Sequence, residues 1–218
     1  MISVARIAAS GILLTAWISV GAAKADDLAT LGVSPISDVP GSISLFGGVS
    51  VGDSSFSELL IDHGNIDTDE VGKGGFVGAA MSRQLVRFWD YFWLEAETGA
   101  GFRFEPGRDS YSPEVWGAIY VRFDGFPWND VLRTSLGIST GLDMVAELPP
   151  SETNYGEKDI PSGAILQHYL SPEIAFSLPE KPEDELFIRI HHRSTGYGLF
   201  WDTSTGSNVV TLGLRFRR

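Results

Sequence analysis

Two residues near the end of the chain, His192 and Ser194, are of types that can carry out nucleophilic chemistry together. They lie two positions apart in an alternating segment that starts near Asp184. In a strand, residues two apart stand on the same face, about 6 to 7 Å apart at their Cα atoms, so the imidazole can reach the hydroxyl. A serine hydroxyl becomes an effective nucleophile when a base removes its proton. The spacing makes Ser194 a candidate nucleophile and His192 its candidate base.

A third residue, Asn208, is expected to lie beside this pair. The last segment of the chain also alternates, and it places Asn208 on one face with Val210 and Leu212. Strands that follow one another in sequence usually pair, so Asn208 is predicted to orient the imidazole of His192. Because a His-x-Ser sequence is common by chance, the alternative is that these are polar residues at the edge of a membrane.

The N-terminal 25 residues are typical of a secretory signal peptide. Arg6 precedes an apolar run from Ile7 to Val20, and Ala23-Lys24-Ala25 is a small-residue ending of the kind that precedes cleavage. A membrane-anchoring helix would need about 20 apolar residues, and polar residues interrupt this run. The sequence predicts a signal peptide at 1–25 and a single domain at 26–218, whose first part, 26–42, forms a periplasmic arm.

The composition restricts the partners and the chemistry of the mature chain. The formal net charge is −12, and removal of Arg6 and Lys24 with the signal peptide makes it two units more negative. Such an acidic protein is a poor nucleic-acid binder, because phosphates require basic patches. The chain has no cysteine, so neither a disulfide nor a cysteine-metal site is expected. His191 and His192 point to opposite faces and cannot bind one metal together. No cofactor is predicted.

Alternation of polar and apolar residues recurs along the whole mature chain and predicts an all-β fold. In the clearest segment, Phe92, Leu94 and Ala96 share one face, and Glu95 and Glu97 share the other. Eight strands are predicted, at 42–51, 75–88, 91–104, 114–123, 130–144, 165–178, 184–194 and 207–217. Their polar faces repeatedly carry glycine and charge. This pattern fits a soluble sandwich or lipocalin-like barrel with an apolar inside, or an outer-membrane barrel with a polar inside.

The connections favour the membrane barrel. Long loops are predicted at 52–74, at 146–163 and between the last two strands, and 105–113 is predicted as a loop of intermediate length. Short turns are predicted at Trp89-Asp90, 125–129 and 179–183, and Trp89, Tyr91, Phe126 and Trp128 cluster at that end. Outer-membrane barrels have short periplasmic turns, longer outer loops and aromatic girdles. We therefore predict an eight-stranded antiparallel outer-membrane β-barrel in which His192 and Ser194 face lipid near the outer end.

With its signal peptide, its eight strands and the sequence His192-Arg193-Ser194 at the end of the penultimate strand, the chain resembles the lipid A 3-O-deacylase (PagL) family, also called acyloxyacyl hydrolases. The resemblance implies a Ser, His and Glu triad on the outer face of the barrel, with Ser194 as nucleophile and His192 as base. Asn208 falls where the family has its glutamate, and Asp202 is the other residue that could complete the triad. Thr195 stands where the family has asparagine.

The same resemblance implies an outer-membrane carboxylic ester hydrolase that removes an ester-linked acyl chain from lipid A of lipopolysaccharide, and it leaves a homodimer open. The missing glutamate implies a weakened activity. The alternative, from another functional class, is a non-catalytic structural or adhesion barrel of the outer membrane.

Overall fold

The structure, a computed structural model, describes residues 33–35, 41–51, 71–152, 164–196 and 206–218. No helix in these ranges is long and apolar enough to cross a membrane. The predicted signal peptide and Asp202 lie outside them. The strands are β1 (Val33–Pro35), β2 (Gly41–Ser50), β3 (Gly75–Phe88), β4 (Phe92–Glu105), β5 (Ser110–Phe123), β6 (Arg133–Val145), β7 (Leu166–Leu178), β8 (Lys181–Ser194) and β9 (Gly206–Arg217).

Strands β2 to β9 close into an eight-stranded antiparallel barrel, as predicted. Each strand pairs with its neighbour in sequence, and β9 returns to pair with β2 from Ser42↔Arg217 to Ser50↔Val209. Closure gives every strand two partners, so the barrel has no open edge. The short β1 lies within the predicted arm and pairs with the end of β3 that β2 does not reach.

The barrel has apolar side chains on its outside and charged side chains on its inside, which is the reverse of a soluble protein. Large apolar side chains point outward and are exposed, for example Met81 at 63%, Phe102 at 56% and Ile138 at 50%. Charged side chains point into the lumen, where Glu95 and Arg189 are fully buried. An apolar outside and a charged inside suit a barrel surrounded by hydrocarbon. The soluble alternative, which requires an apolar interior, is therefore wrong.

The middle of the lumen is filled by an aromatic layer, which we define as Phe46, Phe76, Trp116 and Phe187. Phe46 lies 5.7 to 5.8 Å, between ring centroids, from each of the other three rings. Glycine on β4 makes room for these rings: a Cβ on Gly99 would lie 2.0 Å from the Trp116 ring. This packing explains why glycine recurs on the polar face of the strands.

Below the aromatic layer, toward the short turns, lies a network of buried ion pairs. Glu173 is its centre, because its carboxylate accepts hydrogen bonds from Arg122 Nη1 at 2.5 Å, Arg189 Nε at 2.9 Å and Arg215 Nη2 at 2.6 Å. The network consists of four arginines and four glutamates, Arg122, Arg189, Arg215, Arg217, Glu95, Glu97, Glu173 and Glu185. Equal numbers of opposite charges, each hydrogen-bonded, make burial tolerable in a low-dielectric interior.

The connections differ from the prediction at three places, and the clearest is the segment between β4 and β5. The segment 105–113 was predicted as a loop, but β5 already begins at Ser110, and Phe102 pairs with Pro113. The strand continues past the point where its apolar alternation ends, because Ser112 faces inward and donates a hydrogen bond to the backbone oxygen of Glu147 at 2.7 Å. Only 106–109 therefore separate β4 from β5.

The opposite rim carries three turns and the predicted aromatic girdle. The turn predicted at 125–129 spans 124–132, and the turn predicted at 179–183 is only 179–180. Trp89 and Tyr91 are more than half exposed at this rim, and Trp128 is half exposed. Phe126 stacks on Trp128 with 4.8 Å between ring centroids. The alternation of the sequence places Arg133 on the polar face with Ser135 and Ser139, but Arg133 is exposed, because it is the first residue of β6 at this rim. Outer-membrane barrels have short periplasmic turns and longer outer loops, so this rim is the periplasmic end, and the ends of β8 and β9 that meet at Ser194 and Gly206 lie at the outer end.

Candidate active site

His192 and Ser194 lie on the outward face of β8, at its outer end. The burial pattern of β8 alternates up to this point, with Phe187, Arg189 and His191 inside the barrel. His192 is 9% exposed, and Ser194 is half-buried. The alternation of β8 therefore places His192 and Ser194 on the outward face, which is the orientation that the sequence predicts.

Asn208 lies directly across from His192 in the pairing of β8 with β9. His192 Nδ1 donates a hydrogen bond to Asn208 Oδ1, with 2.7 Å between the two atoms. An imidazole that carries its proton on Nδ1 keeps the lone pair on Nε2 when it is neutral. The arrangement therefore selects the tautomer in which Nε2 can accept a proton from a hydroxyl.

Ser194 Oγ has a different hydrogen-bond partner from the one expected. It accepts a hydrogen bond from the backbone N–H of Gly196 at 3.3 Å. Gly196 has a φ of +64°, in the left-handed region that glycine adopts most readily. Proton transfer requires Ser194 Oγ within hydrogen-bond distance of His192 Nε2, and catalytic hydrogen bonds of this kind often form only once substrate is bound.

Thr195 and Gly196 follow the candidate nucleophile in the chain. Thr195 is 3% exposed, so its side chain is packed away and does not lie at the lipid surface. The amide of Gly196 is in contact with the serine oxygen, which is where an acyl carbonyl would be attacked. A backbone amide in that place can stabilise a developing oxyanion. Gly196 was not recognised from the sequence, although the Ser-Thr-Gly order followed by further glycine was visible there.

A second polar pair lies on the outward face beside this group. Thr140 Oγ1 and His168 Nε2 are 2.8 Å apart, and His168 lies directly across from Ser194 in the pairing of β7 with β8. Thr140 was not predicted to take part in a site. The signal was its position in β6, where it interrupts a face otherwise formed by Leu136, Ile138, Leu142 and Met144.

The lumen behind β8 holds a cluster of possible metal ligands, Glu114, Asp143 and His191, whose ligand atoms lie within 4.8 Å of one another. The surrounding charges already compensate these carboxylates. Arg103 Nε lies 2.7 Å from Glu114, and Arg193 Nε lies 3.2 Å from Asp143. We therefore interpret the cluster as a second group of buried ion pairs, nearer the outer end of the barrel. It is separate from the lipid-facing residues His192, Ser194 and Asn208.

No model of a known protein family matches the chain, and no curated protein matches it. The fold is similar to that of the outer membrane enzyme PagL, with a TM-score of 0.53 and 12% identity over 80% of this chain and 98% of that chain. Other similar structures are Neisserial surface protein A, with a TM-score of 0.47, 12% identity and coverage of 81% and 96%, and Ail of Yersinia pestis, with 0.39, 14%, 82% and 100%. The chain thus shares the eight-stranded barrel fold of the outer membrane enzyme PagL.

Proposed function

We propose that this protein is a serine esterase of the outer membrane that removes an ester-linked acyl chain from lipid A, as in 3-O-deacylation. The observation that carries the proposal is the 2.7 Å hydrogen bond between His192 Nδ1 and Asn208 Oδ1, two residues from Ser194 on the lipid-facing surface. A serine beside an imidazole of fixed tautomer is the minimum arrangement for nucleophilic acyl transfer. Its position at the outer end of β8 supports the proposal, because the ester bonds of outer-leaflet lipids are expected near that end of a membrane barrel.

In the proposed reaction, His192 Nε2 takes the proton of Ser194 while Oγ attacks the ester carbonyl carbon. The Gly196 amide donates a hydrogen bond to the oxyanion. As the tetrahedral intermediate collapses, the bond to the sugar oxygen breaks and His192 returns its proton to that oxygen. A water molecule, deprotonated by His192, then attacks the acyl-serine, and His192 returns this proton to Ser194 Oγ as the bond between Oγ and the acyl carbon breaks and the fatty acid leaves. The lipid need not leave the membrane, because the nucleophile faces it.

The direct test is to reconstitute the purified protein with lipid A and to follow the lipid by mass spectrometry. We expect the wild-type protein to produce lipid A that has lost one acyl chain, and the Ser194→Ala variant to leave lipid A intact. Both proteins should first show the heat-dependent gel mobility of a folded barrel. Identical spectra from the two folded proteins would refute the esterase and favour the non-catalytic structural or adhesion barrel.

The amide of Asn208 gives a prediction specific to this chain. Asn208 orients the imidazole but cannot neutralise the imidazolium that forms during acyl transfer. We expect Asn208→Asp to raise kcat/KM about tenfold, because a carboxylate makes a stronger, charge-assisted hydrogen bond, and Asn208→Leu to lower it about tenfold or more. The measurement is the initial rate of ester hydrolysis in detergent micelles. Wild-type rates in the Asn208→Leu variant would show that Asn208 has no role in orienting the base.

A further inference from the structure

Arg83 places a positive charge on the lipid-facing side of the barrel. On β3, Ala79 and Met81 precede it on the outward face, and Arg83 is exposed as they are. Its cross-strand neighbours are Gly41 on β2 and Ala96 on β4, and neither carries charge. A cation on this face is costly within hydrocarbon and tolerable near the interface. An anion from outside the chain would therefore stabilise this part of the barrel surface.

The strand register places Arg83 near the periplasmic end of the barrel wall and beside a second arginine. Gly41, directly across from Arg83, is the first residue of β2, and its backbone oxygen accepts a hydrogen bond from the Arg218 N–H at 2.9 Å. Neighbouring strands lie about 4.8 Å apart, so the Cα atoms of Arg83 and Arg218 are about 10 Å apart, on either side of Gly41. An arginine side chain keeps its methylene groups in hydrocarbon and extends its guanidinium toward the interface. Both guanidinium groups can thus reach the phosphates of the inner leaflet.

Neither guanidinium group is neutralised within the described part of the chain. Arg83 and Arg218 form no ion pair with any described residue, and Arg218 Nη1 donates a hydrogen bond to the backbone oxygen of Arg217 at 3.2 Å. Asp184, an outward acid on β8, lies across from Phe216 and pairs with neither arginine. Because a guanidinium can donate two parallel hydrogen bonds to a phosphate, these two side chains are suited to a phosphate group.

An apolar groove of about 410 Å³ lies on the membrane side of these arginines. Ile43 lies at its centre, directly across from Met81 on β3 and Phe216 on β9, and two residues further toward the middle of the membrane than Gly41. Arg218 borders the groove, and Gly41 leaves that end without a side chain. Positive charge at the periplasmic end and apolar side chains beyond it match the two parts of a phospholipid.

We propose that this groove binds one anionic phospholipid of the inner leaflet. Its phosphate lies between Arg83 and Arg218, and the first part of an acyl chain lies over Ile43, Met81 and Phe216. Two cations favour a lipid of net negative charge over a zwitterionic lipid, because each basic residue near a membrane surface adds to the attraction. The site is at the opposite end of the barrel from the proposed esterase and does not depend on it.

The first experiment measures lipid binding to the Ser194→Ala variant, in which the proposed esterase cannot consume the lipid. Phosphatidylglycerol and phosphatidylcholine with the same acyl chains are titrated in detergent micelles, and bound lipid is counted by native mass spectrometry. We expect phosphatidylglycerol to bind about tenfold more tightly. Arg83→Gln should remove most of this preference, and Arg83→Lys should keep most of it. The matched control is Arg133→Gln, which removes an exposed arginine at the same rim on β6 and should keep the preference.

A further variant tests the groove without changing any charge. A Cβ at Gly41 would lie 3.6 Å from the backbone oxygen of Ser82, an ordinary contact, so Gly41→Val should fold and should fill the groove. We expect it to weaken phosphatidylglycerol binding about fivefold or more.

Three outcomes of these titrations would overturn the proposal. Equal affinities for the two lipids would show that the site does not select negative charge. Equal losses for Arg83→Gln and Arg133→Gln would show that the preference reflects the charge of the whole rim. Displacement of the lipid by millimolar inorganic phosphate would show that the arginines bind any phosphate and that the groove holds no acyl chain.

The second experiment locates the bound lipid by fluorescence in vesicles. Leu45→Trp places a tryptophan on the outward face of β2, just beyond the groove, and Ile138→Trp places one on the outward face of β6 as a control. We expect phosphatidylglycerol with brominated chains to quench the tryptophan at 45 more than the same fraction of brominated phosphatidylcholine does, and the two lipids to quench the tryptophan at 138 equally. Adding Arg83→Gln should remove the difference at 45. Equal quenching at 45 by the two lipids would overturn the proposed site.

Discussion

Alanine at Ser194, or glutamine at His192, is expected to lower kcat/KM for ester hydrolysis by about 10³-fold or more. Removing Ser194 Oγ removes the nucleophile, and glutamine at 192 removes the base that takes its proton. The two residues act as one unit, so the double variant should be little worse than either single variant. The measurement is hydrolysis of lipid A or of a chromogenic acyl ester by folded protein in micelles.

Labelling by a fluorophosphonate, which reacts with activated serines, separates the two roles. Ser194→Ala should not be labelled at all, and His192→Gln should be labelled much more slowly than wild type, because its serine is present but not activated. A suitable control is Ser135→Ala, which removes a serine from the lumen face of β6 and should keep wild-type labelling. Equal labelling of wild type and His192→Gln would show that His192 is not the base.

Glutamine at Glu173 is expected to destabilise the barrel by about 3 to 5 kcal/mol. The Glu173 carboxylate is contacted by three fully buried arginines, Arg122, Arg189 and Arg215. Neutralising it leaves the four-arginine, four-glutamate network with an uncompensated positive charge that no solvent can reach. The free energy of unfolding can be measured by urea titration in lipid vesicles with tryptophan fluorescence.

Two further variants make this prediction specific. Adding Arg215→Met to Glu173→Gln restores charge balance and should recover at least about 1 kcal/mol. Glu183→Gln changes a carboxylate of β8 that is only half-buried near the periplasmic rim, and its effect should stay within about 0.5 kcal/mol. Equal losses for Glu173→Gln and Glu183→Gln would mean that the buried network contributes no more than surface charge.

The strands were predictable where one face meets lipid, because alternation is then enforced at every residue. β3 was predicted with its observed bounds, Gly75–Phe88. The prediction failed at the start of β5, where Ser110 and Ser112 carry no apolar signal and Pro113 is unfavourable for a strand. There the strand is specified by its pairing with β4, from Phe102↔Pro113 to Glu105↔Ser110, which local sequence does not reveal.

The candidate site likewise contains features that the sequence predicts and features that it does not. The shared face of His192 and Ser194 follows from the period of a strand, and their closeness to Asn208 follows from the adjacency of β8 and β9. The contact between Thr140 and His168 joins strands whose relative register must be known before a diagonal pair can be recognised. The contact of the Gly196 amide with Ser194 Oγ depends on the backbone conformation just after β8, which a sequence with many glycines does not reveal.

The filled lumen has a consequence for the membrane that contains the protein. Phe76, Tyr120 and Arg189 are fully buried, so solvent reaches these central side chains from neither mouth of the described barrel. Small outer-membrane barrels can be filled by side chains in this way, whereas wider ones conduct. A bilayer that contains many copies should therefore keep its electrical resistance, and small solutes should not leak through them.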